Sequence, residues 1–194
     1  MKYEKIVTSE NKEIHIFDNM FDLNYMQHMY AYATNSFFKI TGSVSPAKET
    51  WNEWNLSCTL DEGDVVNTGF DKMAAPEYKE LMGHSKINRA FILLSFDKQM
   101  SRYHADGAHF KYTVLYYANL EWDKDWSGET IFTNNDFSKI EAGVMYKPGR
   151  VIAFDPSIPH KSCPVSVNAP QIRMVYSFNY KKENFDLYDN DFNK

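Results

Sequence analysis

The spacing of hydrophobic positions changes character along the chain. Within residues 18–38, apolar side chains recur every three or four positions, at Phe21, Tyr25, Met29 and Tyr32. This period is typical of a helix that buries one face, and Asp18 is its predicted N-cap. A second short helix is predicted over Pro76–Met82, because a proline stands at its start and a glycine near its end.

After residue 85 the pattern changes to short β-type runs separated by turn residues. These predicted strands are 90–96, 110–118, 129–133, 144–146, 150–154 and 172–179. The spacing leaves no room for crossover helices, so the sheet should be mostly antiparallel. We therefore expect a mainly β fold with flanking α, a double-stranded β-helix (jelly roll) with N-terminal helices packed on one sheet.

The length of 194 residues favours one domain over 1–194. Within it we expect a mainly helical support and variable region over 1–85, a β-helix core over 86–180 and a fraying tail over 181–194. The stretch 42–69 has no clear period and stays unassigned; its length and aromatic residues make it a candidate active-site lid.

Charge and composition narrow the class of partner. Lys and Arg number 21 against 26 Asp and Glu, for a formal charge of −5. This balance argues against nucleic-acid binding, which depends on clustered cationic side chains. No apolar run approaches the roughly 20 residues that span a bilayer, and the first residues lack the pattern of a secretory signal. A cytoplasmic protein without a membrane partner is the expectation.

The candidate chemistry begins with His104 and Asp106. Residues at i and i+2 of an extended segment point to the same side and can share one ion, although such a pair alone is more often a hydrogen-bonded loop pair. His160 follows a turn and a strongly apolar strand whose far end could face a barrel mouth. Two imidazoles and one carboxylate form the facial triad that suits non-haem Fe(II) and leaves positions open for substrates.

Arg173 adds a second kind of signal. Period-two alternation places Met174, Tyr176 and Phe178 on one face of its strand, and Arg173, Val175 and Ser177 on the other. If the second face lines a barrel, Arg173 is a buried cation, which is costly unless an anion pairs with it. The planar guanidinium matches a carboxylate bidentately, so a dicarboxylate co-substrate would supply the partner.

Five motifs occur in a recognisable order over about residues 102–180. They are His104-x-Asp106, Tyr116-Tyr117-Ala118-Asn119, Trp126-Ser127-Gly128-Glu129-Thr130, Lys147-Pro148-Gly149-Arg150 with Phe154-Asp155 and Pro159-His160, and Arg173. This ordered set resembles the Fe(II)- and 2-oxoglutarate-dependent oxygenases, in particular the prolyl 4-hydroxylase-like branch. Ser127 departs from the family, which has a Gly-Gly-Glu element at this point.

The resemblance implies a role for each matched residue. His104, Asp106 and His160 would bind Fe(II), and Arg173 would pair with the distal carboxylate of 2-oxoglutarate. Tyr117 would hydrogen-bond the same carboxylate, and Ser177 is a weaker candidate for that pocket.

The resemblance also implies a reaction, the hydroxylation of an unactivated carbon with O2 as co-substrate and succinate and CO2 as co-products. Peptidyl proline is the first candidate substrate and a small molecule the alternative. Ascorbate dependence is a further family expectation.

Other functions remain open from the residues alone. A cupin-like metal-dependent enzyme would perform no oxidation and would need no pocket at Arg173 and Tyr117. A peptide- or sugar-binding jelly-roll module would need no intact triad.

Two further residues near the motifs are given lesser roles. His109 is a fallback ligand, although its position three residues from Asp106 suits the same strand face poorly. Arg150, beside a turn glycine, is given no catalytic role.

Overall fold

The computed structural model describes residues 1–43, 53–97, 99 and 101–182. Its strands are β1 (Lys2–Val7), β2 (Glu13–Asp18), β3 (Lys39–Ser43), β4 (Glu53–Leu60), β5 (Ile87–Ser95), β6 (Phe110–Tyr117), β7 (Thr130–Thr133), β8 (Ile140–Val144), β9 (Val151–Phe154), β10 (His160–Ser162) and β11 (Arg173–Lys181). Its helices are α1 (Leu23–Thr34), α2 (Glu62–Thr68), α3 (Phe70–Met73) and α4 (Pro76–Met82), with one 3-10 turn over Lys124–Trp126.

The strands form two sheets. The large sheet has eight strands in the order β1-β2-β9-β6-β11-β5-β4-β3, and the small sheet has three in the order β10-β7-β8. Every pairing between these strands is antiparallel. The prediction of a mainly β, antiparallel double-stranded β-helix is confirmed.

The two faces of the large sheet carry different cores. One face packs against the helices in an aromatic-rich cluster that includes Tyr25, Met29, Phe70, Tyr78, Tyr116, Tyr176 and Phe178. The opposite face packs against the small sheet in a second cluster that includes Leu115, Tyr117, Phe132, Val144, Ile152 and Val175. The predicted alternation on β11 is therefore confirmed, and it directs Arg173 and Ser177 toward the space between the sheets.

The first helix starts later than the sequence predicts. Its N-cap is Asp22, whose carboxylate accepts a hydrogen bond of 2.8 Å from the backbone amide of Tyr25. The prediction of Asp18 as the cap is wrong, because Asp18 ends β2 and forms an ion pair with Arg150 instead. The second predicted helix is confirmed as α4, and Gly83 follows its end with a positive φ of 61°.

The N-terminal region contains more β structure than expected. Residues 1–85 carry four helices but also supply β1, β2, β3 and β4, half of the large sheet. The expectation of a mainly helical region was therefore incomplete. β2 is buried along almost its whole length, and its buried residues include the polar His15 and Asp18.

Three further segment predictions have definite outcomes. Residues 53–68 form β4 and α2, and β4 pairs with β5 inside the large sheet, so this part of the candidate lid is a fixed part of the fold. Residues 44–52 of that stretch, and 183–194 of the predicted tail, lie outside the described residues. The strand expected at 144–146 is placed at Ile140–Val144.

None of the helices in the described residues has both the length and the apolar character needed to cross a bilayer.

Asp18 offers a prediction on stability. Its side chain is 8% exposed, and its carboxylate accepts hydrogen bonds from Arg150 Nε at 2.7 Å, Arg150 Nη2 at 2.9 Å and Lys147 Nζ at 3.1 Å. Hydrogen bonds from Arg150, then from Lys147, lower the pKa of Asp18. Asp18→Asn should reduce the free energy of unfolding by about 1–3 kcal/mol in urea titrations at neutral pH.

The pH dependence of this effect follows from the direction of the pKa shift. Because the carboxylate is more acidic in the folded state, its contribution is fully present above the unfolded pKa of about 3.9 and is lost as the pH falls through the folded value. The difference in stability between the wild type and Asp18→Asn should therefore shrink below about pH 4. A difference that stayed constant from pH 7 to pH 3 would contradict this role of Asp18.

Candidate metal centre and adjoining cavity

The backbone holds His104 and His160 side by side. The two residues form an isolated antiparallel bridge, with the amide of His160 donating to the His104 carbonyl at 2.8 Å and the reverse bond at 3.1 Å. His160 begins β10 at the edge of the small sheet, so the bridge adds His104 as a one-residue extension of that edge. The imidazole centroids lie 4.4 Å apart.

Asp106 completes a cluster of three possible ligands. Its amide donates to the carbonyl of Pro156 at 2.8 Å. One ligand atom from each of His104, Asp106 and His160 can be chosen such that all three lie within 4.8 Å of one another. The structure therefore brings together the three residues that the sequence selects, although they come from segments more than 50 positions apart.

Both imidazoles are oriented by their backbones. His104 Nδ1 lies 3.0 Å from the carbonyl oxygen of Arg102, and His160 Nδ1 lies 2.9 Å from that of Ile158. A carbonyl oxygen can only accept, so each Nδ1 carries a proton, and in the neutral imidazole Nε2 is then the nitrogen with the lone pair. This is the tautomer in which a histidine binds a metal through Nε2.

The electrostatics of the site also favour a neutral His160. Burial, together with the nearby His104, lowers the pKa of His160 to about 4, and the charge of Asp106 opposes this shift. A neutral imidazole is the form that coordinates a metal. Two neutral nitrogen donors and one carboxylate suit Fe(II), which accepts both imidazole and carboxylate ligands. The residues present therefore fit the metal that the resemblance implies.

A chain of hydrogen bonds fixes the Asp106 carboxylate. The Thr113 hydroxyl donates to Asp106 Oδ2, the oxygen that lies 4.0 Å from His160 Nε2. Thr113 Oγ1 accepts from Asn179 Nδ2 at 2.9 Å, and Asn179 Oδ1 accepts from Arg89 Nε at 3.0 Å. Thr113 and Asn179 are buried. This series of hydrogen bonds therefore fixes the rotamer of Asp106.

The triad opens into a cavity of about 370 Å³ between the sheets. Apolar residues of β5 and β6 line part of it, including Phe91, Leu93 and Leu115. Its polar wall contains His104, Asp106, Thr113, Thr130, His160, Ser162, Arg173 and Ser177. The predicted metal ligands and the predicted anion-binding residue therefore share one cavity.

Arg173 is a buried cation, only 3% exposed. Its Nε donates to the carbonyl oxygen of Gly128 at 2.8 Å, and the guanidinium carbon lies 5.3 Å from the ring centroid of Tyr117 and 5.2 Å from that of Tyr146. No carboxylate of the described residues forms an ion pair with Arg173. A buried charge in this setting needs an anion, and the cavity is the space from which one can reach it.

Gly128 is needed for this arrangement. Its φ is +85°, and a Cβ built on it would lie 3.1 Å from Arg173 Cδ. Ser127, at the position where the resemblance leads us to expect a glycine, itself adopts a positive φ of 58°. The serine is therefore accommodated in a backbone conformation that favours glycine.

The other two predicted cofactor residues have different placements. Ser177 is 4% exposed and lines the cavity. Tyr117 is fully buried beside the Arg173 guanidinium rather than on the cavity wall, and its hydroxyl lies 2.7 Å from Thr130 Oγ1. Burial raises the pKa of Tyr117, and the positive charge of Arg173 opposes this shift. The phenol therefore stays protonated and can donate a hydrogen bond.

Three residues in or next to the site are not predicted from the sequence. Thr113, Thr130 and Asn179 are polar residues within strands, and only cross-strand register shows that they face the site. Asn179 pairs with Thr113 on one side and Arg89 on the other.

Two residues considered in the sequence lie outside the ligand cluster. His109 is not part of the cluster of possible ligands. Arg150 pairs with Asp18, in agreement with a structural role.

The hydrogen bond to Asp106 supports a prediction about metal affinity. Thr113→Val keeps the shape of the side chain but removes the hydroxyl, so Asp106 should lose its fixed rotamer. We expect Mn(II) binding to weaken by about tenfold, the lower end of the effect of such supporting residues. Thr113→Ser, which keeps the hydroxyl, should bind nearly as the wild type. Calorimetric titration measures both variants, and equal affinities for Thr113→Val and the wild type would contradict this role.

The similarity of this chain to known proteins is found in its structure and not in its sequence. No family model matches the chain, and no curated protein sequence does. Among solved structures, a prolyl-4-hydroxylase from Pseudomonas putida is similar, with a TM-score of 0.61 and 13% identity, over 87% of this chain and 92% of the other. A 2OG-Fe(II) oxygenase family oxidoreductase from Burkholderia pseudomallei has a TM-score of 0.66 and 13% identity, over 87% and 84% of the two chains.

A third similar structure is HygX from Streptomyces hygroscopicus with nickel and 2-oxoglutarate bound. Its TM-score is 0.64 and its identity 8%, over 92% of this chain and 85% of the other. All three similarities cover most of the chain, but the sequence identity is low, so they show a shared fold. The chain has the fold of the 2OG-Fe(II) oxygenases, a group that includes prolyl 4-hydroxylases.

Proposed function

We propose that this protein is an Fe(II)- and 2-oxoglutarate-dependent dioxygenase that hydroxylates an unactivated carbon. Its co-products would be succinate and CO2. His104, Asp106 and His160 are the metal ligands in this proposal, and Arg173 binds the distal carboxylate of 2-oxoglutarate.

One observation carries the proposal. The three-ligand cluster and a buried arginine without a carboxylate partner among the described residues line the same cavity. A metal-dependent enzyme without oxidative chemistry would explain the cluster but not the buried guanidinium. A binding module would explain the cavity but not two imidazoles held in the metal-binding tautomer.

Each side chain has a defined task in this function. His104 and His160 present Nε2 to the metal because their Nδ1 protons are donated to backbone carbonyls. Arg173 offers its terminal amino groups to a carboxylate, since its Nε is already bound to Gly128. Tyr117 packs against the guanidinium and keeps it in place, while Ser177 and Thr130 add hydroxyl groups to the adjoining wall.

Bound Fe(II) and 2-oxoglutarate would supply the oxidising chemistry, through decarboxylation of the co-substrate in the presence of O2. The chain's own contribution is the geometry of the ligands and an apolar wall on one side of the cavity, formed by residues that include Phe91, Leu93 and Leu115.

Peptidyl proline is the first candidate substrate. The support is the resemblance of the motifs and the similarity in fold to a prolyl-4-hydroxylase and to a prolyl hydroxylase from Trichoplax adhaerens in complex with a hypoxia inducible factor peptide fragment (TM-score 0.56, 15% identity, 88% and 84% of the two chains). A small-molecule substrate is the alternative, and ascorbate dependence belongs to the same family expectation.

Succinate formation tests the proposed reaction. The protein is loaded with Fe(II) and 2-oxoglutarate without oxygen and then exposed to air. We expect slow formation of succinate even without a prime substrate, and none when Fe(II) is omitted. Metal binding without succinate or CO2 formation, in the presence of peptidyl proline and of small-molecule candidates, would favour the non-oxidative alternative.

A further inference from the structure

The cavity holds a second cation besides Arg173. Although the chain has a formal charge of −5, the described residues that line its cavity include Arg89 as well as Arg173 and Asp106. Asp106 is assigned to the metal and Arg173 to 2-oxoglutarate, so Arg89 is left to attract a different anion.

Arg89 lies too far from Arg173 to serve the same ligand. On β5 and β11, Arg89 pairs with Asn179 whereas Ser95 pairs with Arg173. The backbones of the two arginines are therefore six residues apart along the sheet, or roughly 20 Å at about 3.3 Å per residue. Arg89 Nε is bound to Asn179, its cross-strand neighbour, and Arg173 Nε is bound to Gly128. The two side chains are therefore anchored in different parts of the cavity.

The Arg89 side chain is held in place although it is exposed. Its Nε donates to Asn179 Oδ1 at 3.0 Å, and its guanidinium carbon lies 5.0 Å from the ring centroid of Phe91 and 5.7 Å from that of Phe110. No carboxylate of the described residues forms an ion pair with it. With Nε occupied, the terminal amino groups are left as a bidentate donor pair, the geometry that matches a carboxylate or a phosphate.

From this geometry we propose that Arg89 binds a carboxylate or phosphate group of the substrate that is hydroxylated. The inference rests on the proposed function and names its substrate class, a molecule with an oxyanion at a fixed distance from the reacting carbon. Thr113, which holds Asp106, is two strands from Arg89 across the sheet, about 10 Å at the usual interstrand spacing. That distance suits a small molecule with its anion at one end and its reacting carbon at the metal, so this inference favours the small-molecule alternative over peptidyl proline.

The test uses small oxyanions and a paramagnetic metal. The full chain is loaded with Mn(II) and saturated with N-oxalylglycine, an inert 2-oxoglutarate analogue that occupies Arg173. Inorganic phosphate or 13C-labelled acetate is then added, and the Mn(II)-induced relaxation of the 31P or 13C nucleus is measured. We expect enhanced relaxation for at least one probe, from a nucleus near 10 Å rather than one bound directly to Mn(II). The two probes distinguish a phosphate from a carboxylate.

Variants of Arg89 decide the outcome. Because Arg89 also ends the hydrogen-bond chain to Asp106, each variant is measured at its own saturating Mn(II) concentration. Under that condition Arg89→Gln should reduce the enhancement about tenfold, and Arg89→Lys, which keeps the charge without the fork, should fall between it and the wild type. Lys124→Gln removes an equal charge from a surface position with 77% of its side chain exposed and should leave the enhancement unchanged. Equal relaxation in the wild type and both Arg89 variants, or no enhancement with either probe, would overturn the inference. Failure of the wild type to bind Mn(II) or N-oxalylglycine would instead overturn the proposed function.

Discussion

Asp106→Ala, His104→Ala and His160→Ala should each abolish succinate formation and weaken Mn(II) binding on the order of 10²-fold or more. Each variant removes one of three ligands, and a change of ligand should cost more than the 10- to 100-fold loss typical of residues that merely support a ligand. Calorimetric titration with Mn(II) measures the affinity, and succinate release after loading with Fe(II) and 2-oxoglutarate measures the reaction.

His109→Ala is the matched control for these variants. His109 lies three residues from Asp106 and is a histidine of the same segment, but it is not part of the ligand cluster. We expect its Mn(II) affinity and succinate formation to equal those of the wild type. Wild-type succinate production by all three triad variants would show that the metal centre is assigned to the wrong residues.

Arg173→Ala should weaken 2-oxoglutarate binding on the order of 10²- to 10³-fold while Mn(II) affinity changes little. The side chain supplies a charge-assisted, bidentate pair in a buried setting, and truncation of one partner of such a pair costs about 2–5 kcal/mol. Binding of N-oxalylglycine to the Mn(II)-loaded protein measures this loss directly, and the KM for 2-oxoglutarate should rise in parallel.

Two comparisons make the Arg173 result specific. Arg173→Lys keeps the charge but loses the planar fork, so its affinity should lie between those of the wild type and Arg173→Ala. Lys124→Gln removes a surface charge and should bind as the wild type. If Arg173→Ala, confirmed as folded by its urea unfolding curve, bound N-oxalylglycine with unchanged affinity, Arg173 would not be the anchor for the co-substrate.

The sequence predicts the core of the site because local rules place its key residues. The alternation on β11 separates Arg173 from Met174 regardless of tertiary context. The i, i+2 spacing likewise places His104 and Asp106 on one side of an extended segment. His160 follows an apolar strand, and the structure joins it to His104 by a backbone bridge that no local rule would specify.

Other features depend on packing between distant segments. Asp18 and Asp22 are both acceptable caps by residue type, and the choice between them is set by the ion pair of Asp18 with Arg150, 132 positions away. β2 is a six-residue segment whose place in the large sheet depends on its pairing with β1 and with the distant β9. Likewise, the hydrogen bonds that link Arg89, Asn179, Thr113 and Asp106 form only because the register of β5, β11 and β6 aligns these residues.

The most direct test of the central claim is an experimental structure of the protein with Mn(II) and N-oxalylglycine. We predict one metal ion bound by Nε2 of His104, Nε2 of His160 and a carboxylate oxygen of Asp106, with the distal carboxylate of the analogue paired to Arg173. A metal ion held by other residues, or an analogue whose distal carboxylate does not contact Arg173, would contradict the claim.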